Sequence, residues 1–173
     1  MLRDSSPIEG YPEPYGLLCS ILQDATRDWR AELWEEVGAD AAAWQVRPGA
    51  QSIGGMIFHM ICCELFWFEM VALREGVSDE DKEIIFWNKI DVDNGHWPEV
   101  PVKPLSWYFE LQDKYRARTL EAVKRWDPAD TAKPFHGDEE VTLRWVLGHV
   151  IQHESYHGGQ IVLLYDLWKA SKL

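Results

Sequence analysis

Cysteine is scarce in this sequence, and the features of an exported protein are missing. The three cysteines are Cys19, Cys62 and Cys63, and an odd number with two of them adjacent is a poor disulfide framework. Residues 1–7 lack the apolar stretch of a signal peptide. Both observations favour a protein of the reducing cytoplasm.

Basic residues and unbroken apolar runs are also few. The chain has 17 lysines and arginines against 29 aspartates and glutamates, for a formal net charge of −12. Nucleic acids and anionic membranes both attract basic surfaces, so we expect neither as a partner. The longest apolar run, residues 56–73, is interrupted by His59, Glu64 and Glu69, and we do not expect it to span a membrane.

No segment shows the alternation of apolar and polar residues that predicts a β-strand. Helical periodicity and end signals instead predict four helices, at about residues 14–37, 52–74, 105–126 and 141–169. A chain of 173 residues that is 46% hydrophobic is long and apolar enough for one core. We therefore predict an all-α fold with a single domain over residues 1–173. Its architecture would be an antiparallel four-helix bundle with one long connection between helices 2 and 3.

Local signals indicate where these helices begin and end. Pro14 fits near the start of the first helix and Gly38 just after its end. Ser52 is a good N-cap for the second helix. The long connection, residues 77–104, carries an apolar stretch at 84–87 that predicts one more helical turn. A connection of this length is often a lid or a pocket wall.

Histidines are concentrated in the last predicted helix. His149, His153 and His157 follow one another at intervals of four residues, which places them on one helix face. The first and last are about 12 Å apart along the axis, too far to bind one ion. Either the first two or the last two can therefore form a ligand pair. A third histidine from another helix would leave a coordination position open, as a catalytic metal site requires.

His59, in the second predicted helix, is the candidate for that third ligand. It shares a helix face with Met56, Cys63 and Trp67, and an apolar wall of this kind controls solvent access to a metal. Cys62 and Cys63 lie three and four residues after His59 and are alternative soft metal ligands. Small buried cysteines more often fill the core, and we expect that role for both.

Residues 153–157 also match the zinc-protease motif H-E-x-x-H, in which the glutamate is the general base. The protease interpretation is weak, because Gln160 and Leu163 stand where the metzincin extension needs glycine and histidine. No glutamate follows His157 to act as a third ligand. We nevertheless take Glu154 as the candidate catalytic residue. Three roles remain open for it: to orient a ligand, to act on bound water, or to face solvent.

Aromatic residues are abundant, with ten tryptophans. Core packing is the usual role of such rings. The alternative is that Trp67, Trp87, Trp97, Trp107 and Trp145 line a pocket for an apolar or aromatic substrate. His96 and His136 lie beside glycines in predicted loops, and we expect both on the surface.

Two stretches of the sequence carry a family resemblance. One is residues 52–60, which contain His59, together with the loop at 44–49 before them. The other contains His153, His157, Gly159 and Gln160. In both, the chain resembles the DinB superfamily of DinB/YfiT-like four-helix-bundle metalloproteins. The first is similar to the family's second helix with its metal-binding histidine, and the second is similar to the signature of the family's last helix.

The resemblance implies a ligand set and a range of activities. It implies that His59, His153 and His157 are the three metal ligands and that His149 is not one. Gly158 is a departure, since many relatives carry a basic residue there. Three neutral imidazoles favour zinc, with nickel as the alternative. Relatives include enzymes that use a low-molecular-weight thiol, and the family commonly forms homodimers.

Three functions therefore stay open. The first is a metal-dependent transferase or hydrolase that acts on a small molecule, with or without a thiol cosubstrate. The second is a metal-binding, structural or interaction protein without catalysis. The third and weakest is the zinc protease. A closed coordination sphere, for example with Cys63 as a fourth ligand, would favour the second function.

Overall fold

The fold is mostly helical, in agreement with the predicted all-α class. A computed structural model describes residues 5–33, 38–90, 92, 94–134 and 138–173. Within these ranges, two short strands pair antiparallel, with Thr131 opposite Thr142. The helices are α1 (Tyr15–Ala31), α2 (Ala39–Ala43), α3 (Ile53–Leu65), α4 (Asp79–Ile84), α5 (Leu105–Arg125) and α6 (Leu143–Ala170), and a π-helix (Phe66–Ala72) continues α3. The strands are β1 (Thr131–Ala132) and β2 (Val141–Thr142).

The ends of the helices follow several of the sequence signals. Pro14 is the N-cap of α1, and the Ser52 hydroxyl accepts a hydrogen bond from the Gly55 amide at 3.1 Å, which confirms the predicted cap of α3. α1 ends at Ala31, before the predicted end at about residue 37. Residues 34–37 of the predicted span lie outside the described residues. The two-residue strands are too short to produce an alternating pattern.

The long helices pack in pairs. α1 lies along α6, and α3 packs against both α5 and α6. Among the described residues the core forms two apolar clusters, one around Phe58, Tyr108 and Ile161 and one around Leu22 and Leu147. The position of α3 between α5 and α6 brings His59 opposite the histidines of α6.

The connection between the π-helix and α5 is held against the helices by charged side chains. Arg118 of α5 donates to Glu69 of the π-helix at 2.7 and 2.6 Å and to Asp81 of α4 at 2.5 Å. The Tyr115 hydroxyl also donates to Asp81. The sequence predicted a helical turn at residues 84–87. The structure instead has α4 at Asp79–Ile84, so the helix begins earlier and consists of more polar residues than predicted.

Residues Ile53–Ala72 are, within the described ranges, the one helical segment long and apolar enough to cross a membrane. Its mean hydropathy is 1.5, but 61% of its most apolar window is buried inside the protein. The segment contains two buried glutamates. Glu64 accepts a hydrogen bond from Arg116, and Glu69 accepts one from Arg118. A core helix of a soluble protein has the same properties, so the segment does not indicate a membrane protein.

The two central glycines of α6 have different surroundings. A Cβ atom on Gly158 would lie 2.6 Å from Cγ of Trp29 in α1, whereas a Cβ on Gly159 would have no neighbour within 4 Å. Trp29 has little freedom to move, because its Nε1 donates to Glu154 at 2.8 Å. The close approach of α1 therefore requires glycine at position 158, and a basic side chain there has no room.

This difference predicts opposite effects of two alanine substitutions. Gly158→Ala should lower the free energy of unfolding by about 1–3 kcal/mol, since the new methyl group collides with Trp29. Gly159→Ala, the matched control, should raise it by up to about 1 kcal/mol through better helix propensity. Urea unfolding followed by circular dichroism measures both. Equal effects at the two positions would contradict the packing argument.

Candidate metal centre

Three histidines from two helices meet inside the protein. His59 comes from α3, and His153 and His157 come from successive turns of α6. One ring nitrogen from each lies within 4.8 Å of the other two, and the Nε2 atoms of His59 and His153 are 3.1 Å apart. All three side chains are partly buried. Among the described residues this is the group of histidine, cysteine and acidic side chains that fits one metal ion.

The spacing of the nitrogen atoms suits a bound metal ion. Zinc binds imidazole nitrogen at about 2.0–2.1 Å, and tetrahedral angles then separate two ligand nitrogens by about 3.4 Å. The separation of 3.1 Å between His59 and His153 is close to that value. The three residues present therefore fit one divalent ion, and three protein ligands leave a coordination position free.

The electrostatics of the cluster keep the imidazoles neutral, as metal ligands must be. Burial, and then the proximity of His157, lower the pKa of His59 to about 4. Burial and the neighbouring histidines lower the pKa of His153 to about 3. Burial also lowers the pKa of His157. A proton therefore does not compete with a metal for these nitrogens near neutral pH.

Gln160 orients one of the three rings. Nδ1 of His157 lies 2.7 Å from the Gln160 side-chain oxygen, and because an amide oxygen only accepts, Nδ1 carries the hydrogen. The other nitrogen, Nε2, then keeps its lone pair for a metal. Such partners fix the tautomer and orientation of ligating histidines. We predicted no role for Gln160 from the sequence, although its spacing of three residues from His157 on a helix was the available signal.

His149 lies beside the three-histidine cluster and is not part of it. Its ring centre is 6.2 Å from that of His153, and it stacks on Trp145. Of the two ligand pairs that the spacing allowed, the cluster contains His153 with His157. His96 is exposed, as predicted, and His136 lies outside the described residues.

Glu154 is buried, with 1% of its surface exposed, so it does not face solvent. Its carboxylate accepts hydrogen bonds from Thr26 at 2.6 Å, Trp29 at 2.8 Å, Gln112 at 3.2 Å and Arg116 at 3.3 Å. These donors come from α1 and α5. The carboxylate next to His153 in sequence is therefore occupied in binding other helices. Whether it also takes part in catalysis stays a prediction.

The two neighbouring cysteines lie outside the histidine cluster. Cys62 is half-buried, and its Sγ donates to the Ile85 carbonyl at 3.6 Å. Burial raises the pKa of Cys62 to about 12 and raises that of Cys63 as well, so both stay protonated thiols at neutral pH. This is the core-filling role that the sequence led us to expect.

The five tryptophans considered as pocket-lining residues lie in three different surroundings. Trp97, from the long connection, is buried and makes an edge contact with the His59 ring at 5.7 Å. The connection thus provides one wall of the site. Trp87 and Trp107 pack against the core cluster. Trp67 and Trp145 lie beside His149.

The histidine pKa values predict that the metal-free protein loses stability in mild acid. In the unfolded chain histidine titrates near pH 6.5. Between pH 6.5 and 4 the unfolded state therefore binds protons that folded His59 and His153 do not, and stability falls as the pH falls. We expect the free energy of unfolding to drop by about 4 kcal/mol from pH 7 to pH 5, about 2 kcal/mol for each of these two histidines.

Urea unfolding of the metal-free protein at both pH values measures this effect. A double variant, His59→Gln with His153→Gln, should lose most of the pH dependence. An unchanged slope in that variant would show that other groups cause it.

The fold and the cluster define a helical protein with a three-histidine site suited to a divalent metal ion. A family model described as Mycothiol-S-transferase matches residues 17–168, and the chain belongs to this family. The family is part of the DinB/YfiT-like superfamily, which confirms the resemblance seen in the sequence. A comparison with curated proteins found no significant match.

Proposed function

We propose that this protein is a metal-dependent thiol S-transferase that joins a low-molecular-weight thiol to a small electrophilic substrate. The observation that carries the proposal is the cluster of three neutral imidazoles with a free coordination position, in a chain of the mycothiol-S-transferase family. The family points to mycothiol as the thiol. The hydrolase alternative shares the same site and differs in using water in place of the thiol.

His59, His153 and His157 would hold the metal, with zinc as the first candidate and nickel as the second. When bound, such an ion supplies a Lewis acid that lowers the pKa of a thiol or a water molecule. Gln160 would hold the His157 ring in the ligating orientation. Trp97 covers the His59 ring and limits access of solvent to this side of the site.

Glu154 remains the predicted catalytic residue, and its contacts support a positioning role. It adjoins His153 in sequence and is bonded to donors on α1 and α5. These bonds oppose rotation of α6 about its axis and so help to keep His153 and His157 directed towards His59. The protease alternative needs this carboxylate at the metal, and its bonds to the other helices do not favour that arrangement.

We also propose the context in which the protein works. It would fold as a single domain, residues 1–173, in the form of an antiparallel four-helix bundle, which the packing of α1 on α6 and of α3 on α5 supports. It would act in the cytoplasm as a homodimer, without nucleic acid or membrane partners. The exposed apolar side chains of Tyr156, Leu163 and Leu167 on α6 offer a surface for a second copy.

The test is a transfer assay with the metal controlled. The protein is prepared without a histidine tag, stripped with a chelator, and supplied with zinc or nickel. Mycothiol, glutathione and cysteine are compared as thiols with one electrophile. We expect product above the uncatalysed rate only when metal and thiol are both present, and fastest with mycothiol. A metal-loaded protein that never exceeds the uncatalysed rate would overturn the proposal and favour a non-catalytic metal-binding protein.

A further inference from the structure

Three aromatic rings form a group beside the histidine cluster. Trp145 and His149 of α6 are stacked, with ring centres 5.0 Å apart and planes 4° apart. Trp67 makes edge contacts with Trp145 at 5.1 Å and with His149 at 5.2 Å. We refer to Trp67, Trp145 and His149 as the aromatic group. Single exposed aromatic side chains are common on protein surfaces, whereas a stacked set at a candidate active site is not.

The aromatic group and the metal ligands occupy the same face of α6. Trp145, His149, His153 and His157 follow at intervals of four residues. The His149 and His153 ring centres are 6.2 Å apart. Trp145 lies two helical turns from His153, roughly 12 Å along the axis, and His149 lies between them. A flat molecule that rests against both rings of the aromatic group therefore extends to within one turn, roughly 6 Å, of the nearest metal ligand.

The group is accessible and has space next to it. Trp145 is 48% exposed, although it is among the largest side chains in the protein. A Cβ atom on Gly148, three residues further along α6, would have no neighbour within 4 Å. A flat molecule can therefore approach Trp145 from the solvent side.

Trp67 belongs to the π-helix, a second feature that points to a binding role. The Leu73 amide donates to the Phe68 carbonyl five residues earlier at 3.1 Å, which is the π-helical pattern. Such segments are rare and occur frequently at functional sites. Here the change of helical pitch begins one residue before Trp67, whose ring meets those of Trp145 and His149.

We propose that the aromatic group is the binding subsite for a planar aromatic electrophile. The inference rests on the proposed thiol transfer and names its acceptor class. In the reaction with a chlorodinitrobenzene, the thiol sulfur forms a bond to the ring carbon that carries chlorine. The bond from that carbon to chlorine breaks, chloride leaves with the bonding electrons, and the thiol proton passes to solvent. Stacking on Trp145 would hold the ring while this exchange occurs.

The kinetic test compares two electrophiles and two substitutions at one position. 1-Chloro-2,4-dinitrobenzene is flat and aromatic, and iodoacetamide is small and aliphatic. Trp145→Leu keeps apolar bulk without a ring face, whereas Trp145→Phe keeps a ring face. We expect kcat/KM for the aromatic electrophile to fall about tenfold in Trp145→Leu, mainly through KM, and to change less than about threefold in Trp145→Phe.

With iodoacetamide both variants should stay within about twofold of the original protein. Val46→Ala, at an exposed apolar residue between α2 and α3, is the control and should leave both reactions unchanged. An equal loss with both electrophiles would assign Trp145 a structural role. No loss with either would show that the aromatic group is not used. Both results would overturn the subsite.

A binding experiment separates this inference from the proposed function. 1,3-Dinitrobenzene is planar and has no halide to displace, so it can be titrated calorimetrically against metal-free protein. We expect binding that weakens at least fivefold in Trp145→Leu. Binding with this pattern supports the subsite even if no thiol is ever transferred. Absence of binding, as would follow if a second copy covered Trp145, would overturn the subsite whatever the transfer assay shows.

Discussion

Replacement of His153 by alanine should abolish metal binding and, with it, thiol transfer. His153 is the central ligand of the cluster: its Nε2 is 3.1 Å from that of His59, and its ring centre is 4.2 Å from that of His157. Without it, the two remaining imidazoles come from different helices and bind a divalent ion weakly. We expect about one ion per chain in the original protein and less than about a tenth of that in the variant.

Plasma mass spectrometry after gel filtration measures the bound metal. His96→Ala is the matched control, because His96 is an exposed histidine of the long connection, and it should retain the full metal content. Gln160→Leu should give an intermediate result, with metal affinity reduced about 10- to 100-fold, since it removes the partner of His157 without removing a ligand. Full metal content in His153→Ala would refute the assigned ligand set.

Replacement of Arg116 by methionine should strongly destabilise the fold. Burial by itself would lower the pKa of Arg116, but the carboxylates of Glu64 and Glu154 raise it above its ordinary value. The guanidinium donates to Glu64 at 2.6, 2.9 and 3.0 Å and to Glu154 at 3.3 Å. Its removal leaves two buried carboxylates without their cation, at a cost of about 3–5 kcal/mol.

Arg125→Met, on the same helix, is the control for this prediction. Arg125 pairs with Glu75 at 3.0 Å, but both side chains are about half exposed, and such pairs contribute at most about 1 kcal/mol. Adding Glu64→Gln and Glu154→Gln to Arg116→Met should recover part of the lost stability, because uncharged amides need no cation. A loss in Arg116→Met no larger than that in Arg125→Met would show that the buried pair is not important for stability.

The same buried network connects stability with the candidate site. Glu64 lies on α3 five residues after His59, and Glu154 lies on α6 directly after His153. Arg116 of α5 bonds to both carboxylates and so links the two helices that supply the metal ligands. Substitutions in the network should therefore weaken metal binding as well as folding. Metal affinity has to be measured under conditions in which each variant is fully folded.

Much of the candidate site could be read from the sequence, because helix geometry is local. The interval of four residues between His153 and His157 is enough to place both on one face, and the imidazole side chains by themselves favour zinc or nickel. The N-cap at Ser52 and the start at Pro14 depend on neighbouring residues, and both predictions were confirmed. His59 could be named as the third ligand only from its apolar helix face and from the family resemblance, because it lies 94 positions from His153 along the chain and no spacing rule joins the two.

Other features depended on which helices come into contact. The sequence left three roles open for Glu154, and only the approach of α1 and α5 shows that its carboxylate bonds to Thr26, Trp29 and Arg116. The sequence predicted one helix over residues 52–74, whereas the structure has a π-helix at Phe66–Ala72 in its second half. All but one of these seven residues are apolar, so the segment carries no period that distinguishes the two kinds of helix.

The sequence by itself therefore determined the helical class, the local helix signals and the chemistry of the histidines. These properties depend on residues a few positions apart in sequence, and the helical period of 3.6 residues fixes which of their side chains share a face. The tertiary structure decided that His59 meets the α6 histidines, that Gly158 makes room for Trp29, and that Trp67 joins Trp145 beside His149. Each of these contacts joins distant parts of the chain, and packing between helices, which no local pattern encodes, brings them together.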